Sequence, residues 1–372
     1  MSSDVGVQIP PGALYTSLGF KAVRSYPMEQ EHITRHPLTH EKMRPWSEEQ
    51  VLHVAVAYTN PRRWHTRRHL AHDFLMHMAH MDNVRLHFVE IAFGDRPFEV
   101  ADENNPDHIR LRTPHELWLK ENALNIAVQH FPVGWKYGAY VDADFVFTRR
   151  DWALEAIHLL QHYHWVQLFS TVQHISGSTI PGEGHQPINL LSSFALTYAE
   201  SGHVVPKDWE ALLKKHPYGG MRSRMFPGAP GGGWAFRRES IDMVGGLMDR
   251  CICGSGDSYM AFGMVGAFRG MQANAFAGFT PAFSGYITDW QRRAAQCHGN
   301  IGYVDQMCVH HFHGPMSKRG YGSRDHILVS EKFDPYRDVY PDSHGVLQLT
   351  PSKPRLRHLL QEYFRTRCED IP

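Results

Sequence analysis

Two aspartates interrupt an apolar run in the segment YVDADFVF, residues 140–147. Asp142 and Asp144 are two positions apart, so on a β-strand both side chains would point to the same side. Like charges this close repel each other, and a buried carboxylate without a partner is costly. Hard divalent cations such as Mg²⁺ and Mn²⁺ prefer carboxylate oxygens. The pair therefore predicts a metal site that could hold a diphosphate; the alternative is a solvated turn with two incidental aspartates.

Strands and helices alternate around this motif. Apolar runs rich in β-formers predict strands at 51–58, 84–93, 108–113, 136–147 and 164–169. Apolar residues at helical spacing predict helices between them, at 62–81, 114–131 and 151–163. The alternation predicts an α/β fold with a mostly parallel sheet flanked by helices. Ligands of such sheets bind outside the carboxyl ends of the strands, and the two aspartates come late in theirs.

Composition excludes several classes of protein. The chain has 372 residues, 42% of them hydrophobic, which is enough for a sizeable core. Lys plus Arg and Asp plus Glu both number 38, so the net charge gives no evidence for a polyanionic partner. The five cysteines show no disulfide framework, which favours a reducing compartment. We find no signal peptide and no apolar run long enough to span a membrane, and therefore expect a cytoplasmic protein.

Two motifs resemble those of the GT-A fold glycosyltransferases, in particular the β-1,4-galactosyltransferase-like branch. The helix LKENALNIAV before YVDADFVF matches a helix with a basic residue and an LLN signature, and it places Lys120, Asn122 and Asn125 in that stretch. The segment PGGGWAFRRESIDMVGGLMDRCICGSGDSYM (230–260) is similar to the second signature. It departs from the family at Asp257, a single carboxylate where the family usually shows Glu-Asp. Without an anchor or disulfides, the chain looks most like soluble phage-type glycosyltransferases.

This resemblance implies a domain plan. We expect a GT-A, Rossmann-like fold with an N-terminal extension at 1–50 and a nucleotide-sugar-binding half at 51–170. An acceptor-binding and catalytic half would follow at 171–315, and a basic C-terminal loop and helix at 316–372. The Gly-rich segment 217–233 would close over the donor sugar and exclude water.

The resemblance also implies a metal and its ligands. Asp144 would bind Mn²⁺ or Mg²⁺ directly, and Asp142 would reach the metal through water or hold the donor ribose. Family members often supply a further ligand from a histidine near the end of the fold. His313, in VHHFHG, is the first choice and His311 the second, since positions two apart share a face if the chain is extended.

The implied catalytic base is Asp257, which would take a proton from the acceptor hydroxyl in an inverting reaction. Its neighbours Gly254 and Gly256 would let the substrate approach the backbone. An alternative is a helix N-cap, because DSYMAFGMV could begin a helix.

The implied donor is a UDP-sugar, whose binding residues fall in several zones. Tyr58, Thr59 and Asn60 end the first strand and Glu90 lies in the second, where the family holds the uracil and ribose. Lys120 and Asn125 belong to the donor helix. Cations of the 318–324 loop would clamp the diphosphate, unless the loop is an ordinary solvated one; its members are Lys318, Arg319 and Arg324. Trp234 would stack on a sugar or pack in the core.

The sequence says less about the acceptor than about the donor. The phage-type resemblance favours a 5-hydroxymethylpyrimidine of double-stranded DNA, flipped out of the stack, with arginines of 62–68 and 355–367 on the phosphates. A carbohydrate or glycolipid acceptor is the alternative. A non-catalytic nucleotide-sugar-binding module is an alternative of another class, which the intact Asp142, Asp144 and Asp257 argue against.

Overall fold

The computed structural model describes residues 50–176, 186–203, 228–267, 278–321 and 323–370. All of them lie in one compact unit, Glu49–Pro372. The described strands are, in chain order, β1 (Leu52–Thr59), β2 (Val84–Phe93), β3 (His108–Thr113), β4 (Tyr137–Val141), β5 (Phe145–Phe147), β6 (Trp165–Gln167), β7 (Thr171–Ile175), β8 (Pro187–Ser192), β9 (Gly233–Arg237), β10 (Ile301–Tyr303), β11 (Met307–His310), β12 (Val339–Pro341) and β13 (Leu347–Leu349).

Helices separate most of these strands. The described α-helices are α1 (His65–Met78), α2 (Lys120–Gln129), α3 (Trp152–Leu159), α4 (Phe194–Glu200), α5 (Arg238–Val244), α6 (Gly256–Met264), α7 (Pro281–Ala294), α8 (Asp325–Ser330) and α9 (Pro354–Thr366). Short 3₁₀ helices lie at Ala295–Cys297 and Met316–Lys318. None of the helices within the described ranges is long and apolar enough to cross a membrane.

A seven-stranded sheet, in the order β10-β6-β9-β4-β1-β2-β3, forms the centre of the fold. β9 runs antiparallel to its neighbours β4 and β6, and the other described strands of this sheet run parallel to one another. The predicted class, α/β with a mostly parallel sheet, is therefore confirmed. The core lies on both faces, since Val54 and Val56 join one apolar cluster and Ala55 another.

The chain reverses its direction across the sheet at β1. It moves outward from β1 to β2 and β3, and then returns to pair β4 with the other side of β1. Such a reversal opens a crevice at the carboxyl ends of the two strands, where ligands of α/β sheets bind. Thr59 ends β1 and Asp142 follows β4, so the aspartate motif lies at this crevice.

A smaller sheet, in the order β5-β11-β7-β8, carries further residues to the same place. β11 pairs with β5 so that His310 lies opposite Phe145, and it pairs with β7 so that His310 lies opposite His174. Because β5 starts immediately after Asp144, this register brings the end of β11 beside the aspartate motif.

Most predicted limits shift by up to four residues, and two predicted elements differ more. The strand predicted at 136–147 is two strands, β4 and β5, separated by a turn at 142–144. The helix predicted from 114 begins only at Lys120. The reason is that the backbone N–H of Trp118 donates to Ile252 O at 3.0 Å, a partner distant in sequence that holds the preceding residues out of the helix.

Candidate metal and acid–base site

A cavity of about 400 Å³ lies at the carboxyl ends of β1 and β4. Its walls include the 142–144 turn, the first turns of α2 and α6, residues 228–232 and the segment that follows β11. It collects most of the charged residues that the sequence singled out, which are Lys120, Asp142, Asp144, Asp257, His313, Arg319 and Arg324.

The two aspartates line the cavity from a turn rather than from a strand. Phe145 N–H donates to Asp142 O at 3.3 Å, which closes the turn. The carboxylates then take different partners. Asp142 Oδ1 lies 3.1 Å from Lys120 Nζ, whereas Asp144 Oδ2 lies 3.0 Å from His313 Nε2. The prediction that both side chains leave one face of a strand is wrong, because the backbone turns between them.

Asp144, His310 and His313 form a cluster with the composition of a metal site. Ligand atoms of the three side chains lie within 4.8 Å of one another, and His310 Nε2 is 3.7 Å from Asp144 Oδ2. The other oxygen, Asp144 Oδ1, is buried without a hydrogen-bond partner among the described residues. A buried acceptor in that state is costly unless a cation satisfies it. Two imidazoles and one carboxylate suit a transition metal such as Mn²⁺ better than Mg²⁺.

The sequence offered His311 as the alternative to His313, but the structure places His313 and His310 in the cluster. β11 ends at His310, so the chain beyond it is not an extended strand and His311 and His313 do not share a face by alternation. His311 contacts Asp144 through its backbone, where its N–H donates to Asp144 O at 2.9 Å. The signal that could have found His310 is its position after the short apolar run Met307–Val309, three residues before His313.

The surroundings of the cluster favour an ionised Asp144 and neutral histidines. Burial raises the pKa of Asp144, but the imidazoles of His310 and His313 and the guanidinium of Arg319 outweigh it and lower that pKa below its usual value. Burial lowers the pKa of His310 well below its ordinary value and also lowers the pKa of His313. Both rings are therefore neutral at neutral pH, and a neutral imidazole nitrogen can bind a metal.

A buried carboxylate behind His313 comes from the end of the chain. Glu369 Oε2 lies 3.8 Å from His313 Nδ1 and 2.6 Å from Arg67 Nε, and Glu369 Oε1 lies 2.6 Å from Arg367 Nε. Burial raises the pKa of Glu369, but the two guanidiniums outweigh it and lower the value to about 2. Carboxylates behind a histidine ligand orient the ring. Sequence analysis did not identify Glu369, whose partners Arg67 and His313 are distant along the chain.

A chain of alternating charges occupies the opposite wall. Lys120 Nζ lies between Asp142 Oδ1, at 3.1 Å, and Glu121 Oε1, at 3.8 Å. Burial lowers the pKa of Lys120, but the carboxylates of Asp142, Glu121 and Asp257 raise it well above its ordinary value. Sequence analysis missed Glu121, although it directly follows Lys120 in the donor-helix motif.

Asp257 lies in the first turn of α6, with one oxygen facing the cavity. Ser255 is the N-cap residue, so the N-cap alternative for Asp257 is not what the structure shows. Its Oδ1 accepts from Ser258 N–H at 2.8 Å. Its Oδ2 has no hydrogen bond to a described residue. A Cβ on Gly231 would lie only 2.7 Å from that oxygen, so a glycine at 231 leaves room for the carboxylate.

The glycines beside Asp257 face protein side chains instead of open space. A Cβ on Gly254 would lie 2.9 Å from Arg324 Nη1, and one on Gly256 would lie 3.3 Å from Glu121 Oε1. The structure therefore indicates a role for these glycines other than the expected approach of substrate to the backbone. They make room for a cation and for a carboxylate of this chain.

Arg319 and Arg324 are buried cations that make no direct ion pair within the described part of the chain. They are 4% and 7% exposed, and neither lies within 4.0 Å of a carboxylate in the described part of the chain. The Nε atom of each is buried without a hydrogen-bond partner. Arg324 donates from Nη2 to Ser255 Oγ at 2.8 Å and lies over the ring of Tyr321. Lys318, the third cation of this loop, is exposed and does not line the cavity.

The predicted nucleotide zone is held together by its own hydrogen bonds. Tyr58 lines the cavity, and its hydroxyl donates to Glu99 Oε2 at 2.6 Å. Asn60 donates to Trp64 O at 3.0 Å, and Glu90 accepts backbone N–H groups of residues 99–101 at 2.6 to 3.0 Å. The structure places Asn60 and Glu90 behind the cavity wall, where their nucleotide contact stays a prediction.

Two further predicted residues lie away from the described cavity, and one predicted segment lines it only in part: residues 228–232 are in its wall. Asn125 donates to Leu247 O at 3.0 Å and accepts from Leu247 N–H at 2.7 Å, so it ties α2 to the loop after α5. Trp234 is buried in the core and donates to Pro230 O at 2.8 Å. The proposed closing segment, 217–233, lies outside the described residues up to 227.

Comparisons with known proteins find distant structural similarity only. No protein-family model matches the chain, and no curated protein does either. The chain is similar to the mannosyltransferase PcManGT from Pyrobaculum calidifontis, solved with GDP-Man and Mn²⁺, at 15% identity and a TM-score of 0.35, over 85% of this chain and 72% of that one. It is similar to S. aureus TarS 1-349 at 10% identity and a TM-score of 0.30, over 66% of this chain and 72% of that one. Similarity at this level does not bear on activity.

Proposed function

We propose that the protein is a metal-dependent glycosyltransferase of the GT-A type, which moves a sugar from a nucleotide-sugar to an acceptor hydroxyl. One observation carries the proposal. A single cavity holds the cluster Asp144–His310–His313, the buried cation Arg319, which no described carboxylate contacts directly, and Asp257, whose Oδ2 accepts no hydrogen bond from a described residue. A cation site, an anion site and a base in one cavity are what transfer from a sugar diphosphate requires.

The donor diphosphate belongs on the side of the metal cluster. Asp144, His310 and His313 would hold a divalent cation, which supplies positive charge to a diphosphate leaving group when bound. Arg319 is close enough to this cluster to lower the pKa of Asp144, and it has no carboxylate partner among the described residues, so it is placed to bind a phosphate oxygen. Arg324 adds a second buried cation. Uridine as the nucleotide rests on the resemblance of the motifs.

The acceptor belongs on the side of Asp257. Its Oδ2 would accept the proton of the acceptor hydroxyl as the oxygen bonds to the anomeric carbon. The bond from that carbon to the diphosphate breaks, and the diphosphate leaves with the electron pair. Attack from the face opposite the leaving group inverts the configuration.

Several of the arginines that suggested DNA as the acceptor already pair with carboxylates. Arg62 pairs with Glu116 at 2.8 Å, Arg67 with Glu369 at 2.6 Å and Arg355 with Glu331 at 3.1 Å. Arginines already paired with carboxylates are poor phosphate ligands, because the pairs must first separate. A hydroxymethylated base therefore stays a prediction beside the carbohydrate alternative.

The test combines binding with turnover. Mn²⁺ and UDP are titrated by calorimetry, and UDP release from UDP-glucose and UDP-galactose is then measured with and without acceptors. Asp144→Ala should abolish turnover and weaken metal-dependent UDP binding. Asp257→Ala should lower turnover by about 10²- to 10⁴-fold, the usual contribution of a general base, and leave UDP binding intact.

A matched control and the contrary outcomes complete this test. Asp289→Ala removes an exposed aspartate paired with Arg292 and should change neither property. Equal UDP affinity in the Asp144 and Asp257 variants would contradict the division between a metal ligand and a base. Tight binding of Mn²⁺ and UDP without release from any donor would instead support a non-catalytic binding module.

A further inference from the structure

Glu121 is a buried carboxylate in the cavity wall that the proposed reaction does not use. It lies in the first turn of α2, is 2% exposed and lines the cavity. No described side chain donates a hydrogen bond to it. The nearest cation, Lys120 Nζ, is 3.8 Å away and lies closer to Asp142, at 3.1 Å. A buried carboxylate with so little compensation needs a further partner.

The position of Glu121 relative to Asp257 indicates where that partner would lie. A Cβ on Gly256 would come within 3.3 Å of Glu121 Oε1, so the carboxyl group packs on the residue immediately before Asp257. The two acidic side chains thus share one wall of the cavity, and the free oxygen of Asp257 faces the same space.

The charges around Glu121 restrict the chemistry of the partner. Lys120, Asp142 and Asp257 face it, and burial together with Asp257 raises its pKa to about 7, although Lys120 opposes this. An anion would be repelled by the carboxylates, and Lys120 already supplies a cation. A hydroxyl group suits the site in either protonation state, since it can donate to the carboxylate or accept from the acid.

We propose that Glu121 binds a second hydroxyl of the acceptor, next to the hydroxyl that Asp257 deprotonates, and that the acceptor is therefore a sugar. This inference rests on the proposed function. A sugar ring presents neighbouring hydroxyls to the two carboxyl groups, whereas a hydroxymethyl group on a pyrimidine presents one. Glu121 would thereby determine which acceptors bind, and Asp257 would perform the proton transfer.

The experiment compares acceptor kinetics in Glu121→Gln with those in wild type. The donors are UDP-glucose and UDP-galactose with Mn²⁺. The acceptors are methyl glycosides of glucose, galactose and N-acetylglucosamine, and duplex DNA containing 5-hydroxymethylcytosine. We expect transfer to a glycoside, and a KM for it that rises roughly 10- to 100-fold in Glu121→Gln, the effect of losing a hydrogen bond to a charged group.

Deoxy glycosides separate binding from a structural role. In wild type, removal of the hydroxyl next to the reacting one should raise KM by a similar factor. In Glu121→Gln the same removal should cost several-fold less than in wild type, because a neutral amide binds the hydroxyl more weakly than a carboxylate does. Glu116→Gln is the matched control, since it changes the charge of a glutamate of the same segment outside the cavity.

Gly256→Ala provides a second variant in case Glu121→Gln fails to fold. It crowds the Glu121 carboxyl group without removing it and should raise the glycoside KM in the same direction. Additive losses in the deoxy series, weakened Mn²⁺ or UDP binding in Glu121→Gln, or transfer to DNA but to no glycoside would each overturn the inference. Absence of UDP binding and of donor cleavage in wild type would instead reject the proposed function itself, and the inference with it.

Discussion

Lys120 donates to Asp142 but not to Asp144: its Nζ lies 3.1 Å from Asp142 Oδ1, and no described lysine or arginine lies within 4.0 Å of Asp144. The two aspartates of one short motif therefore have different tasks. Asp142 pairs with the ammonium group at the start of α2, whereas Asp144 faces two imidazoles, where we propose that a cation binds.

This division predicts different effects of two equivalent substitutions. Asp144→Asn should weaken Mn²⁺ binding by more than about 100-fold, since loss of a ligand costs more than loss of the groups behind it. Asp142→Asn should keep Mn²⁺ affinity within a few-fold, because its carboxylate is not in the cluster. Calorimetric titration of Mn²⁺ checks both. Equal losses in the two variants would show that Asp142 is also a direct ligand.

The structure places His310 beside Asp144, whereas the sequence pattern offered His311. A pair of variants distinguishes the two. His310→Ala should lower Mn²⁺ affinity by about 10- to 100-fold or more, because Nε2 lies 3.7 Å from Asp144 Oδ2 and can turn to a shared cation. His311→Ala should leave it unchanged, since the contact of His311 with Asp144 is through the backbone. Mn²⁺ affinity is measured by electron paramagnetic resonance, which distinguishes free from bound Mn²⁺. The reverse order of effects would restore the sequence-based choice.

Elements with clear local signals were predictable from the sequence. β2 and β3 begin and end at the residues predicted, 84–93 and 108–113, because alternating apolar runs there are bounded by turn residues. The start of α2 was not predictable, since the bond from Trp118 N–H to Ile252 O depends on tertiary contacts. The same reasoning applies to the site. Asp144 stands out in its motif, but His310 and Glu369 acquire their partners only when distant segments meet.

The buried pair His53 and His87 predicts an acid-sensitive core at the other end of the sheet. His53 Nδ1 lies 3.1 Å from His87 Nε2, and burial lowers the pKa of His87 to about 4, with Asp107 opposing. An unfolded histidine titrates near its ordinary value of about 6.5. Between these two values the unfolded chain binds a proton that the native chain does not. Stability should therefore fall as the pH drops from about 6.5 to 4, by on the order of 3 kcal/mol for this residue.

His87→Gln tests that contribution. The variant should lose less free energy of unfolding than wild type over the same pH range, as measured by urea unfolding at a series of pH values. The exposed His69, changed to Gln, serves as the control and should follow the wild-type curve. An unchanged acid dependence in His87→Gln would assign the sensitivity to other groups.

We expect Glu369 to affect both the stability of the protein and its affinity for Mn²⁺. Glu369 is bound by Arg67 and Arg367 and faces the far nitrogen of His313. Glu369→Gln leaves two buried guanidiniums without their anion, so the free energy of unfolding should fall by about 3 to 5 kcal/mol. The ring of His313 also loses its orienting carboxylate, so Mn²⁺ affinity should fall by about 10- to 100-fold.

Asp370→Asn is the matched control. The Asp370 carboxylate accepts from His65 N–H and Thr66 N–H at the start of α1, so the variant should lose about 1 kcal/mol of unfolding free energy and no metal affinity. Chemical unfolding and Mn²⁺ titration measure the two effects separately. A Glu369→Gln variant that is destabilised but binds Mn²⁺ as wild type does would make the carboxylate a purely structural anchor.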